Sequence, residues 1–109
     1  MATSQASGTL TPVVGTETTF NGASFTVAGT YILQVDTVNM ALGDVVELRA
    51  YDMVLSAGTE RQAFMASYSN VQGDPIKISI PMTSLYSCHF TINQVAGTAR
   101  AFPWNVITL

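Results

Sequence analysis

Charged side chains are scarce in this sequence. Asp, Glu, Lys and Arg make up 10% of its 109 residues, against about 25% in an ordinary soluble domain. The formal net charge is −3 and the pI is about 4.6, so the chain lacks the basic face that a sequence-independent grip on nucleic acid requires. We therefore expect no nucleic-acid partner.

Cysteine and histidine occur once each, as Cys88 and His89. A single cysteine excludes an intrachain disulfide, and Cys88 has the features of a small buried hydrophobe on a strand. A zinc site needs three or four converging Cys or His ligands, and the seven carboxylates do not have the spacing of a calcium loop. The sequence therefore predicts no metal and no cofactor.

Catalytic motifs are missing as well. The sequence has no nucleophile elbow, no P-loop and no dinucleotide-binding fingerprint. A pair of catalytic carboxylates could form in space, but no spacing in the sequence predicts one. His89 alternates with Cys88 and Phe90 on a predicted strand, so we expect it to face solvent or a subunit contact. The chain is predicted not to be an enzyme.

Long apolar runs do not occur either. The longest have four or five residues, whereas about twenty are needed to span a bilayer. The first ten residues, MATSQASGTL, have neither the positive segment nor the apolar core of a secretory signal. We therefore expect no membrane contact and synthesis in a cytosol.

Uncharged polar residues are abundant. The chain is 48% hydrophobic, and fourteen threonines, with many Ser, Asn, Gln and Gly, supply the polar groups of its surface. Such a surface is easy to desolvate, which suits a protein that packs against copies of itself or against another protein. An ordinary β protein with an uncharged polar coat fits the same composition equally well.

Apolar and polar residues alternate along most of the chain, which is the period of a β-strand. Tyr31, Leu33 and Val35 share one face of a predicted strand, and Val46, Leu48, Ala50 and Val54 are predicted to point inward from the next. The predicted strand segments are 18–27, 30–36, 44–55, 60–69, 75–81, 87–95 and 100–109. About seven or eight strands at this spacing predict an all-β fold, an antiparallel β-sandwich with Ig-like or jelly-roll connectivity.

Turn signals separate the predicted strands. Asn21-Gly22 predicts a hairpin within 18–27, because both residues tolerate positive φ. Ala-Gly-Thr occurs three times, at 28–30, 57–59 and 96–98, and predicts a turn with its glycine at positive φ. Residues 1–9 are small and polar with nothing to bury, so we expect a flexible arm followed by one sandwich domain over residues 10–109.

Arginine and aromatic side chains are the candidates for contact with a partner. Arg61 and Arg100 follow two of the Ala-Gly-Thr turns at the same offset, and each is expected to pair with a carboxylate across strands, such as Glu47 or Asp52, or with a neighbouring subunit. Tyr86 lies beside Leu85 in a predicted loop and is the aromatic most expected to be exposed. Tyr51, Tyr68 and Trp104 are the other candidates for stacking on a sugar, although Trp104 lies in an alternating row that favours a core position.

The run GTYILQVDTVNMALGDVVELRAYDMVLSAGTERQAFMASY, followed by IKISIP and AGTARAFPWNVITL, resembles small virion-associated proteins of tailed bacteriophages. The shared pattern is GTY, VD, N-M, GD, ELR-Y, GT-R, K-S-P and a closing F-x-W-x-V, and it extends over residues 28–109. This is a pattern of strands and turns, and it supplies no active-site residues. The resemblance implies a capsid decoration, or cement, protein.

From this resemblance we expect the major capsid protein as the partner and a homo-oligomer, a dimer or a trimer, on the capsid exterior of a virion assembled in the host cytoplasm. The expected contact residues are Arg61, Arg100 and Tyr86, together with Thr3, Ser4 and Gln5 of the N-terminal arm. The alternative is a carbohydrate- or receptor-binding module on a tail or fibre that uses loop tyrosines.

Overall fold

The computed structural model describes residues 2–109, and these residues form nine β-strands and one 3₁₀ turn. The strands are β1 (Thr3–Leu10), β2 (Thr18–Thr19), β3 (Gly29–Asp36), β4 (Val45–Asp52), β5 (Arg61–Ser69), β6 (Ile76–Ile78), β7 (Met82–Ser84), β8 (Cys88–Ala96) and β9 (Phe102–Thr108), and the 3₁₀ turn is Phe20–Gly22. No helix within residues 2–109 is long and apolar enough to cross a bilayer.

The strands form two antiparallel sheets that pack face to face, which confirms the predicted β-sandwich. Sheet A has the order β1-β9-β3-β6, with β7 also paired to β3, and sheet B has the order β2-β8-β4-β5. With β6 and β7 counted as one interrupted strand, this is the eight-strand order of a jelly roll. Each sheet has one long edge strand, β1 or β5, and one edge made of short strands.

The core lies between the sheets and is built from alternate residues of the central strands. Tyr31, Leu33 and Val35 of β3 are buried, as predicted, and so are the inward residues of β4 as far as Ala50. Phe90 and Ile92 of β8 with Phe102 and Val106 of β9 complete its centre. Val54 is exposed, contrary to the prediction, because β4 ends at Asp52 and the chain leaves the sheet there.

Residues 3–10 form a strand, and this corrects the prediction of a flexible arm over residues 1–9. This strand, β1, pairs with β9 from Thr3 opposite Thr108 to Leu10 opposite Phe102, so the sandwich begins before residue 10. Main-chain hydrogen bonds with β9 hold β1 along its length, and Leu10 at its end packs against the core. Met1 lies outside the described residues.

The predicted hairpin at Asn21-Gly22 is wrong, although both residues do have positive φ, 65° and 68°. The two flanks do not pair with each other. Thr18-Thr19 pairs with the middle of β8, and Phe25 forms a bridge with Cys88 at the start of the same strand. Because β8 satisfies the hydrogen bonds of both flanks, the segment between them folds into the 3₁₀ turn, which buries Phe20.

The three Ala-Gly-Thr segments do not share one conformation. Gly97 has φ 92° as predicted, but Gly29 lies in strand β3, and in the middle segment Ala57 has the positive φ, 59°, instead of the glycine. The backbone at each place is set by which strand follows and by what the turn packs against.

Candidate functional site

One end of the sandwich brings together three connections that are far apart in sequence. We call it the loop end, and it consists of residues 23–28, 53–60 and 85–87. Strand pairing shows that the three connections are neighbours. Cys88 is bridged to Phe25 and lies opposite Asp52 in the β8–β4 pairing. Asp52 in turn lies opposite Arg61 in the β4–β5 pairing. Three distant loops therefore meet around the start of β8.

The loop end displays apolar side chains to solvent. Leu55 is 71% exposed and Leu85 is 65% exposed. The other large apolar residues exposed there are Val27, Val54 and Tyr86. Single exposed apolar residues are ordinary on protein surfaces, whereas a group of them on adjacent loops is a candidate interaction site. The only charged residue in these three segments is Glu60.

Glu60, which is mostly buried, links the three loops through hydrogen bonds. Its Oε1 accepts hydrogen bonds from Ser24 Oγ and from Ser87 Oγ, both at 2.6 Å, and its Oε2 is bonded to His89 Nδ1. Burial by itself raises the pKa of Glu60, but the bonds from Ser24, Ser87 and His89 outweigh it and leave the pKa below its usual value. The carboxylate therefore stays ionised and fixes the relative positions of the apolar side chains.

Backbone hydrogen bonds reinforce this arrangement. The Met53 N–H donates to the Ser87 carbonyl at 2.9 Å, and Phe25 and Cys88 exchange both of their N–H···O bonds. The hydroxyl of Tyr31 donates to the carbonyl of Val27 at 2.6 Å. Loops that are ordered before binding lose less conformational entropy when a partner covers them.

A hydrogen-bonded network continues from His89 along the outer face of sheet B. The His89 ring stacks on Tyr51, with centroids 4.5 Å apart and planes 5° from parallel. Glu17 accepts hydrogen bonds from the hydroxyls of Tyr51, at 2.6 Å, and Thr91, at 2.5 Å. Arg49 bonds Glu47 at 2.8 Å and lies 3.7 Å from Glu17.

The electrostatics of this network favour structure over acid catalysis. Burial raises the pKa of Glu17, but the bonds from Thr91 and Tyr51 and the charge of Arg49 outweigh it and leave the pKa lowered. Burial, together with the neighbouring Glu17 carboxylate, raises the pKa of Tyr51. A general acid needs a carboxyl whose pKa is raised, so neither Glu17 nor Glu60 suits that role.

Sequence reasoning missed the His89–Glu60 pair. The two residues are 29 positions apart, and only the pairing of β4 with both β5 and β8 brings them together. His89 does lie on the outer face, but its ring is bonded to Glu60 and stacked on Tyr51 instead of free in solvent. The alternation of side chains along a strand indicated part of this arrangement, because it places Tyr51, His89 and Thr91 at outward positions of their strands.

Most of the predicted contact residues lie at or near the loop end. Thr3, Ser4 and Gln5 start the edge strand β1, where Ser4 Oγ donates to Asn105 and Gln5 Nε2 to Thr108. Tyr86 is exposed on the loop end. Strand register puts Thr3 level with the start of β3 and with β7, at the same end of the sandwich as Tyr86.

The two arginines differ in their surroundings. Arg61 is exposed at the rim of the loop end, lies opposite Asp52 in register and forms no ion pair with any acid among residues 2–109. Arg100 lies at the opposite end and bonds Asp44 through Nε at 2.8 Å. The expected partners Glu47 and Asp52 are therefore wrong for Arg100. A role of either arginine in an interface stays a prediction.

The other aromatic candidates are occupied within the chain. Trp104 packs on Phe20 with ring centroids 5.3 Å apart, as its core prediction required. Lys77 Nζ lies 4.7 Å from the centre of the Tyr68 ring, and Tyr51 is held by Glu17 and His89. Tyr86 alone of these remains exposed, and one aromatic does not make a sugar-binding platform.

Replacing Glu60 by Gln is expected to lower the free energy of unfolding by about 1–2 kcal/mol, because the ionised acceptor shared by Ser24, Ser87 and His89 is lost. Chemical denaturation measures this, and hydrogen exchange should show faster opening of the loop end. Asp74→Asn removes an exposed acid in the β5–β6 turn and is the control. Equal effects of the two substitutions would contradict a tethering role.

No group of three or more His, Cys, Asp or Glu side chains within residues 2–109 is arranged to hold a metal ion. Comparisons of the chain with protein-family models, with curated proteins and with solved structures gave no match. The resemblance to small phage virion proteins therefore stays a prediction from the sequence.

Proposed function

We propose that this chain is a structural protein of a bacteriophage virion, a capsid decoration protein that binds the major capsid shell through the loop end. The observation that carries the proposal is the group of exposed apolar side chains on three tethered, nearly uncharged loops. The family resemblance supplies the identity of the partner. A jelly-roll order is common in viral capsid proteins and in lectins alike, so the fold by itself does not favour either role.

The shape of the loop end suits a protein partner. A shallow depression of about 280 Å³ lies there, lined in part by Leu55, Gly58 and Arg61. An apolar or small polar side chain of the capsid protein would enter it, while Val27, Leu85 and Tyr86 would cover the surrounding surface. Apolar anchors with a rim of polar groups are the usual anatomy of such interfaces.

Because many copies bind the shell, each copy needs only a modest interface to stabilise it. A decoration protein of this size would bury an area near the standard range of about 1,200–2,000 Å² in total. A subunit that contacts two neighbouring capsid subunits gains from the high effective concentration of the second contact. The shell is then held by the sum of the contacts, so each one can be weakly charged and of moderate strength.

Copy number is the direct test of the role. The protein should be found on purified virions in hundreds of copies, and it should bind again to capsids of the same virus from which it has been stripped. A handful of copies per particle would instead indicate a tail or fibre component, and saturable binding to a glycan array would support the carbohydrate-binding alternative.

Leu85→Asp is expected to reduce capsid occupancy at least about tenfold, because an unpaired carboxylate would be buried against the partner. Leu42→Asp is the matched control, since Leu42 is 86% exposed and lies at the opposite end, in the β3–β4 loop. Occupancy is measured by co-sedimentation with capsids, and the unfolding free energy of both variants should match that of the wild type. If Leu42→Asp were the more harmful change, the loop end would not be the docking site.

A further inference from the structure

We infer that a second copy of this chain pairs with the edge strand β5, which extends sheet B from four strands to eight across a two-fold axis near Met65. The inference concerns self-association and does not depend on the proposed partner of the loop end. It specifies the dimer as the homo-oligomer, from the properties of the four sheet edges.

Strand β5 is a long edge whose protections are confined to its first three residues. It has nine residues and, in the described part of the chain, pairs with β4 alone, so alternate N–H and C=O groups along it face away from the sheet. Native proteins block such edges with prolines, charges, bulges or very short strands. Strand β5 contains no proline, and its single charged residue is Arg61 at its first position.

The other edges within residues 2–109 carry these protections. Strands β6 and β7 have three residues each and lie next to Pro75 and Pro81, and β6 also carries Lys77. Strand β2 has two residues. Strand β1 is long but is interrupted by a bulge between Ser4 and Ala6. Strand β5 also has one bulge, at Ala63, but it is regular from Phe64 to Ser69. Unlike β1, it exposes a large apolar side chain, Met65.

The sequence of β5 is compatible with antiparallel pairing to itself. A two-fold axis at Met65 places Phe64 opposite Ala66 of the second copy, and the bulge at Ala63 ends the regular pairing on each side. The two Arg61 side chains then lie at opposite ends of the seam, so no like charges face each other. Met65 is 46% exposed and would meet its own copy at the centre, which buries an apolar side chain that is half in water in the monomer.

The geometry also fixes how the dimer responds to charge. Directly opposite residues of antiparallel strands have Cβ atoms about 4.5–5.5 Å apart. A charge at position 65 would therefore face an identical charge in the dimer. In the monomer, a carboxylate there would lie beside Arg49, which is opposite Met65 in the β4–β5 pairing, so Met65→Glu should be tolerated in the isolated fold.

Analytical ultracentrifugation of the full chain over a range of concentrations tests the inference. The wild type is expected to show a monomer–dimer equilibrium, and Met65→Glu is expected to weaken dimerisation at least about tenfold, because like charges would be opposed across the seam. Ser7→Glu, an equal charge change on the other long edge, β1, is the control and should leave dimerisation unchanged.

Mixing two variants of opposite charge tests the position of the two-fold axis. Met65→Glu and Met65→Lys should each be monomeric alone and should form dimers when combined, because only pairing of residue 65 with itself makes the two charges complementary. A wild type that stays monomeric at all concentrations, a failure of the mixture to dimerise, or a loss of dimers in Ser7→Glu alone would each overturn the inference.

Discussion

Replacing Asp44 by Ala is expected to lower the free energy of unfolding by about 2–4 kcal/mol, because two main-chain N–H groups and the partly exposed Arg100 lose their acceptor. Asp44 is 1% exposed and accepts hydrogen bonds from the Ala41 N–H at 2.8 Å, the Thr98 N–H at 3.0 Å and Arg100 Nε at 2.8 Å. It ties the β3–β4 loop to the β8–β9 turn, so its removal would leave several donors without an acceptor.

Chemical denaturation at neutral pH measures this effect. Asp74→Ala, at an exposed position in the β5–β6 turn, should change stability by no more than about 0.5 kcal/mol. Asp44→Asn keeps the size of the side chain and should fall between the two, because one amide oxygen can still accept while the charge is lost. A loss for Asp44→Ala no larger than that of Asp74→Ala would contradict a stabilising role of the buried carboxylate.

The same residue sets a pH dependence. Burial raises the pKa of Asp44, but the Ala41, Thr98 and Arg100 contacts outweigh it and hold the pKa below its ordinary value of 3.8. A carboxyl with a lowered folded-state pKa stabilises the protein fully above the ordinary value, and this contribution is lost as the pH falls through the folded-state pKa. The stability curve of Asp44→Asn should therefore be flatter than that of the wild type at pH values below 3.8.

Gly97→Ala is the second substitution with a large expected effect, a loss of about 3–5 kcal/mol. Gly97 has φ 92°, and a Cβ at this position would lie 2.7 Å from the Cα of Asp44 and overlap its carboxylate. The alanine would thus combine backbone strain with the displacement of a buried, hydrogen-bonded group. Thermal or denaturant unfolding of the purified variant provides the measurement.

Gly43→Ala separates the two causes. Gly43 has the same φ of 92°, but apart from its two chain neighbours no residue in the range 2–109 lies within 4 Å of its Cβ position. This variant should therefore lose only the cost of the left-handed conformation, about 1–2 kcal/mol. The double variant Asp44→Ala with Gly97→Ala should lose less than the sum of the single losses, because the overlap disappears with the carboxylate. Equal losses for Gly97→Ala and Gly43→Ala would rule out the overlap.

Local patterns predicted the strands well where one face is buried. In β3 and β4 the alternation of side chains is dictated by the pleat of the strand itself, so Tyr31, Leu33 and Val35 could be assigned to the core without knowledge of their neighbours. The same reasoning failed for β1, in which every residue before Leu10 is polar or small and whose order comes mainly from pairing with β9. It also failed at Val54, because the end of a strand depends on where its partners end.

The candidate site depended on long-range pairing. The alternation placed His89 on an outward position, but the Glu60 carboxylate reaches it only because β4 lies between β5 and β8. Arg100 and Asp44 are 56 positions apart, and the sequence offered several carboxylates as partners. Electrostatic attraction has the same form for every acid, so only the fold selects among them.

The sequence by itself determined the secondary structure class, the faces of the central strands, the scarcity of charge and the lack of metal-site and catalytic motifs, because these follow from residue type and local spacing. The tertiary structure alone decided the strand order, the pairing of β1 with β9, the meeting of three apolar loops above Glu60 and the burial of Asp44. Main-chain hydrogen bonds between strands are nearly independent of residue identity, so the choice of neighbour is made by the packing of the whole sandwich.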